Sequence, residues 1–154
     1  MASKRPRKAV RSKRRPASKR RPAPARSPRD PLLAPMAGAS HRVIGGVTID
    51  IMEAANGRVK RVCYPAGFRW STHMQPIVKT PLCMHAHVGF LARGHVRGTY
   101  ADGCEFDVSA PRAVVLDPGH DAWVVGREPA VLIEFDALGQ TAERFGLPPS
   151  HQHA

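Results

Sequence analysis

The 154-residue sequence has no apolar stretch that reaches the roughly 18–20 residues a membrane-spanning helix needs, which excludes a helical transmembrane protein. Cysteine is scarce. Cys63, Cys83 and Cys104 are odd in number and none forms a C-x-x-C pair. That excludes a disulfide-stapled scaffold and fits a reducing compartment, so a cytoplasmic location is expected. No glycine-rich phosphate loop is present, because Gly94, Gly98 and Gly103 fall at expected hairpins and strand ends. Acidic side chains are nearly missing from residues 1–30, which hold 13 basic residues and one acid, Asp30. This segment alone carries the formal charge of +12, and residues 31–154 are neutral with 11 charges of each sign. A neutral domain behind a polycation replaces the picture of a basic fold.

The tail lacks apolar residues too: within residues 1–30 only Met1 and Val10 are larger than Ala or Pro. Such a segment cannot bury enough surface to offset its ordering entropy, and disorder is expected over residues 1–39. It contains a tandem repeat, Ser-Lys-Arg-Arg-Pro-Ala at 12–17 and 18–23, and its prolines oppose a helix. A signal peptide would need an apolar central stretch that is absent. The chemistry expected of Lys13, Arg14, Arg15, Lys19, Arg20 and Arg21 is sequence-independent contact with phosphates of DNA, RNA or anionic lipid. A solubilising extension and a nuclear-import signal fit the same charge run.

From residue 40 the pattern changes to short runs with period-two alternation. Val47 to Ile51, Arg61 to Tyr64, Phe68 to Trp70, Met84 to Leu91 and His95 to Tyr100 read as strands. Glu105 to Val108, Ala113 to Leu116, Ala122 to Val125 and Ala130 to Phe135 complete the set. Asn56-Gly57 and Asp102-Gly103 are tight-turn signals. Only residues 136–145 look helical. The expected fold is an all-β antiparallel sandwich or barrel over residues 40–148, with a short C-terminal helix and a disordered end at 149–154.

Two stretches go beyond pattern. His87 to Gly94, reading H-V-G-F-L-A-R-G, resembles the end of the first cupin motif. Asp117 to Gly126, reading D-P-G-H-D-A-W-V-V-G, resembles the second, as found in a group of small single-domain cupins. Gly67-Phe68-Arg69-Trp70-Ser71 is similar to a third stretch of that group. The resemblance implies a jelly-roll barrel, the double-stranded β-helix of cupins, with an internal small-molecule pocket and often a homodimer. The cupin metal ligands do not carry over: Pro81 and Cys83 fall in the two histidine slots of the first motif, His87 in its glutamate slot and Ala122 in the last histidine slot.

Another metal set is available. His85 and His87 share a strand face, with His120 or Cys83 as supplementary ligands, and imidazole with thiolate suits zinc and related divalent transition metals. A continuous strand would hold Cys83 and His87 about 13 Å apart. Metal–ligand bonds are only about 2.0–2.3 Å long, so Cys83, His85 and His87 are not expected all three to serve one ion. Equally, His87 and His120 read as buried, hydrogen-bonded histidines or as contacts to an organic ligand. Cys83 reads as core or as a nucleophile beside a base. Trp70 and Trp123 are candidate pocket walls, and Arg69 and Arg93 candidate anchors for an anion at the mouth. Three functions follow: a small-molecule-binding cupin-like barrel, a polyanion-tethered sensing or scaffolding protein, and a metalloenzyme with a non-standard His/Cys site.

Overall fold

A computed structural model describes residues 30–152. Among these, nine strands form two antiparallel sheets. The first hairpins are β1 (Ser40–Ile44), β2 (Val47–Ala54) and β3 (Gly57–Tyr64). Two single-turn helices follow, α1 (Trp70–His73) and α2 (Gln75–Val78). The chain then runs through β4 (His87–Arg93), β5 (His95–Tyr100), β6 (Glu105–Ser109), β7 (Arg112–Leu116), β8 (His120–Val124) and β9 (Ala130–Asp136), and ends in α3 (Thr141–Arg144). One sheet has the order β1-β2-β3-β9-β4-β7 and the other β6-β5-β8. From β4 onward the chain passes back and forth between the sheets, which face each other as an antiparallel jelly-roll barrel.

Alternation sets the two surfaces of each strand. In β3, Lys60 and Val62 point inward while Val59 and Arg61 point outward; in β9, Leu132 and Glu134 face in and Ile133 and Phe135 face out. Val47, Val62, Leu91, Val108, Val114, Val124 and Leu132 are the inward-facing aliphatic core, closed at one end by Phe68 and Trp70. The turn signals hold. Ala55 and Asn56 form the two-residue loop between Ala54 and its partner Gly57, and Gly103 (φ +89°) occupies the turn between β5 and β6.

Three sequence expectations change. Phe68 to Trp70 is not a strand: Arg69 makes one bridge to Trp123, and the chain coils into α1 at Trp70. Asp121 holds that turn, accepting from the Ser71 backbone N–H (3.0 Å) and the Arg69 side chain (2.8 Å). The strand expected from Met84 begins only at His87, and the helix expected over 136–145 is confined to Thr141–Arg144.

Of the two segments expected to be disordered, residues 1–29, 153 and 154 lie outside the described residues, and residues 30–36 and His151 make defined contacts. Residues 30–36 lie as a strap on the outer face of the larger sheet. Arg61 donates to the carbonyls of Pro31 (3.4 Å) and Leu32 (3.1 Å), the Met36 N–H donates to Asp50 (3.3 Å), and Arg93 pairs with Asp30. Asp50 and Arg61 are buried beneath it as an ion pair, so the strap satisfies charges that the sheet alone would expose. At the other end His151 stacks on Tyr100 (3.9 Å between ring centroids) and contacts Asp117 (3.2 Å). Among the described residues no helix is long and apolar enough to cross a membrane.

Candidate functional site

The space between the sheets is a cavity of about 780 Å³. Its walls are mostly aliphatic and aromatic, and Cys83, His87 and His120 meet on its lining. Each reaches that point by a different local device. His87 opens β4 on the inward face. His120 opens β8 directly after Gly119, whose φ of +92° lies in the region that favours glycine and lets the Asp117-Pro118-Gly119 turn reverse tightly. Cys83 sits in a separate extended segment that pairs with the same turn. Its N–H donates to the His120 carbonyl (2.8 Å) and its carbonyl accepts from the Gly119 N–H (2.7 Å).

This pairing overturns the spacing expected for Cys83. Residues 84–86 bend instead of continuing β4, so the Sγ of Cys83 lies 3.6 Å from Nε2 of His87. Ligand atoms of Cys83, His87 and His120 all lie within 4.8 Å of one another. The expected pair of His85 and His87 also comes together, in a second such group with Glu134.

Both histidine rings are oriented from behind. Nδ1 of His87 hydrogen-bonds a carboxylate oxygen of Glu134, and Nδ1–H of His120 donates to the Asp117 carbonyl at 2.7 Å. In each ring Nε2 is the remaining nitrogen. Glu134 is in turn held by Lys60, whose ammonium lies 2.8 Å from its second oxygen, 3.2 Å from Asp136 and 2.9 Å from Nε2 of His85. Asp136 also pairs with Arg58 and accepts from the Thr141 hydroxyl.

The electrostatics follow from these contacts. Burial opposes ionisation of Cys83, but hydrogen bonds from His120 and His87 and their charge outweigh it and bring the thiol down to about 5. Burial likewise opposes charge on His87, yet Glu134 and the Cys83 sulfur raise it to about 10. Glu134 is held well below the usual carboxylate range: burial resists, and the His87 and Lys60 charges prevail. His85 goes the other way, to about 4, through burial and the neighbouring His87 and Lys60 cations. The contacts therefore favour a thiolate at Cys83 and a charged ring at His87, backed by the Glu134 carboxylate.

Of the other residues singled out from sequence, Trp70 is buried and lines the cavity, whereas Trp123 does not. His120, Ala122 and Val124 face inward, so alternation turns Trp123 to the opposite side, where the Arg69 guanidinium lies over its ring (4.6 Å). Arg69 is committed to Asp121 and Arg93 to Asp30, so neither serves as an anchor at the mouth. His85 lines the cavity and forms a second close group with His87 and Glu134, but the Lys60 ammonium already contacts both His85 and Glu134. Lys13, Arg14, Arg15, Lys19, Arg20 and Arg21 lie outside the described residues.

Sequence reasoning missed Glu134 and Lys60. The one signal for Glu134 is a lone acid inside the apolar run Ala130 to Phe135, and Lys60 carries none beyond its place in an alternating strand.

No protein-family profile matches the chain, and no curated protein matches it. Solved structures do. The chain is similar to the cupin domain of Schizosaccharomyces pombe Cnp3, with a TM-score of 0.46 and 13% identity, covering 72% of this chain and 77% of that one. It is similar to a Cupin 2 conserved barrel domain protein from Salinispora arenicola, with a TM-score of 0.49 and 14% identity, covering 74% of this chain and 94% of that one. A third likeness is to protein NMB1881 from Neisseria meningitidis, with a TM-score of 0.42 and 12% identity, covering 58% of this chain and 82% of that one.

Proposed function

We propose that this protein is a cupin-like small-molecule-binding barrel whose pocket is floored by a divalent transition metal on Cys83, His87 and His120. The convergence of these three donors on the cavity lining carries the reading. Two ligands on one tetrahedral ion, with Zn–S near 2.3 Å and Zn–N near 2.05 Å, stand about 3.6 Å apart. The Cys83–His87 separation of 3.6 Å fits that spacing. The backing of both rings fits as well. A metal-bound histidine donates its other N–H to a carboxylate or a carbonyl, which fixes its tautomer and orientation, and Glu134 and the Asp117 carbonyl are such partners.

Thiolate with imidazole suits zinc and its neighbours in the first transition row. Three protein ligands leave a coordination position open, the arrangement of sites that polarise or bind a further molecule. When bound, the ion would supply Lewis acidity at the inner end of the pocket. The chain's own residues hold it, orient the rings and exclude bulk water.

Elemental analysis of purified full-length protein, after exposure to Zn²⁺ and gel filtration, tests the reading. One ion per chain is expected, falling well below that in His87→Ala and in Cys83→Ser. Wild-type protein that retains no transition metal after this treatment would sink it.

A further inference from the structure

The proposed metal pocket has walls chemically unlike its floor, and the contrast defines what fits inside. Besides the trio the cavity is lined by the aliphatic side chains of Val62, Leu91, Val96, Val108, Val114 and Leu132. The ammonium on its lining belongs to Lys60, which is engaged by Glu134 (2.8 Å) and Asp136 (3.2 Å). The lining carboxylate at the floor, Glu134, is engaged by Lys60 and His87. The aliphatic strands offer no partner to a sugar's hydroxyls, a nucleotide's phosphates or a second carboxylate, and burying those groups against them unpaired is unfavourable. Further polar lining groups, Thr80, Gln140, Thr141 and Glu143, come from the segment after α2 and from α3. The aliphatic lining does reward hydrocarbon, and 780 Å³ accepts a drug-sized molecule.

We propose that the ligand is a hydrophobic monofunctional molecule: an apolar body along the aliphatic walls, ending in a single donor group at the open side of the Cys83–His87–His120 centre. This rests on the pocket reading above. The trio supplies a place for a polar head, and the aliphatic strands supply none for a second.

Calorimetric titration of the zinc-loaded full chain with hexanoate, octanoate, decanoate and dodecanoate, and with the matching 1-alkanols, tests both halves. Each added methylene is expected to tighten binding about fourfold until the cavity is full. The carboxylates are expected to bind more tightly than the alkanols in the zinc-loaded protein, and His120→Ala is expected to remove that difference while keeping the methylene increment. Succinate, glucose 6-phosphate and AMP are expected not to bind. Val108→Phe narrows the pocket and is expected to move the plateau to a shorter chain; Val96→Phe does the same if the first variant melts.

Affinity indifferent to chain length would overturn the proposal. So would hydrophilic controls that bind as tightly as decanoate, or a plateau unchanged in both filled variants, which would put binding outside the cavity. The two readings fail separately: a methylene increment in protein that holds no zinc upholds the apolar ligand class and discards the metal.

Discussion

Lys60 ties the floor of the pocket to the sheet behind it. Its ammonium is buried with Glu134 and Asp136, and those carboxylates in turn hold His87, Arg58 and Thr141. Lys60→Met is therefore expected to leave two buried carboxylates short of a partner and to cost about 3–5 kcal/mol, measured by urea unfolding. A loss below about 1 kcal/mol would mean that Arg58, Thr141 and His87 compensate fully. Legibility at this scale was uneven. His87 and His120 sit in stretches whose wording resembles a known barrel family, so the sequence pointed to both. Glu134 lies 47 residues from His87, and their meeting depends on Gly89 pairing with Glu134 across β4 and β9. No local pattern encodes that pairing. Cys83 was legible as a residue type but not in position, because the bend at 84–86 follows from its pairing with the Gly119 turn.

Among the elements, the strap over residues 30–36 depends on one carboxylate. Burial resists ionisation of Asp50, but hydrogen bonds from His41, the Met36 N–H and Arg61 hold it below its ordinary value of 3.8. A depressed carboxylate stabilises the fold above its unfolded-state value and loses that contribution as pH falls through the lower folded value. The strap is thus expected to hold at neutral pH and to loosen only below about pH 4. Asp50→Asn leaves Arg61 buried without its counter-ion and is expected to cost about 3–5 kcal/mol. Hydrogen exchange would then rise first in residues 30–36, and unchanged protection there would contradict this anchoring. The strands and their hairpins were readable from alternation and turn residues. The strap was not, because Leu32, Leu33 and Met36 show no periodicity and their partners are strands further along the chain. The same limit misassigned Phe68 to Trp70, where three residues of apparent alternation coil into a turn clasped by Asp121.

At the scale of the whole molecule, the excess positive charge lies within residues 1–30 of the sequence, ahead of the strands. The basic repeat precedes the strap, so removing residues 1–29 leaves Asp30, Leu32 and Met36 in place. That deletion is expected to leave the melting temperature unchanged and to abolish retention of DNA at low salt. Retention by the full chain should weaken with salt at a log–log slope of about −0.9 per neutralised phosphate. DNA binding that survives the deletion would move the polyanion site onto the barrel. Deleting residues 1–39 instead uncovers Asp50 and Arg61 and is expected to lower the melting temperature.

The larger sheet therefore has a separate duty on each side, and Lys60 and Arg61 show how closely they are interleaved: consecutive residues, one under the pocket and one under the strap. A single-residue insertion or deletion within β3 would exchange them, driving the strap's anchor into the cavity and the pocket's cation out beneath the strap. Length variation in related chains should then be tolerated at the loop of Ala55 and Asn56 and at Asp102-Gly103, and be excluded from β3 and β9. The reading frame of these two strands carries as much of the site as the identities of its ligands.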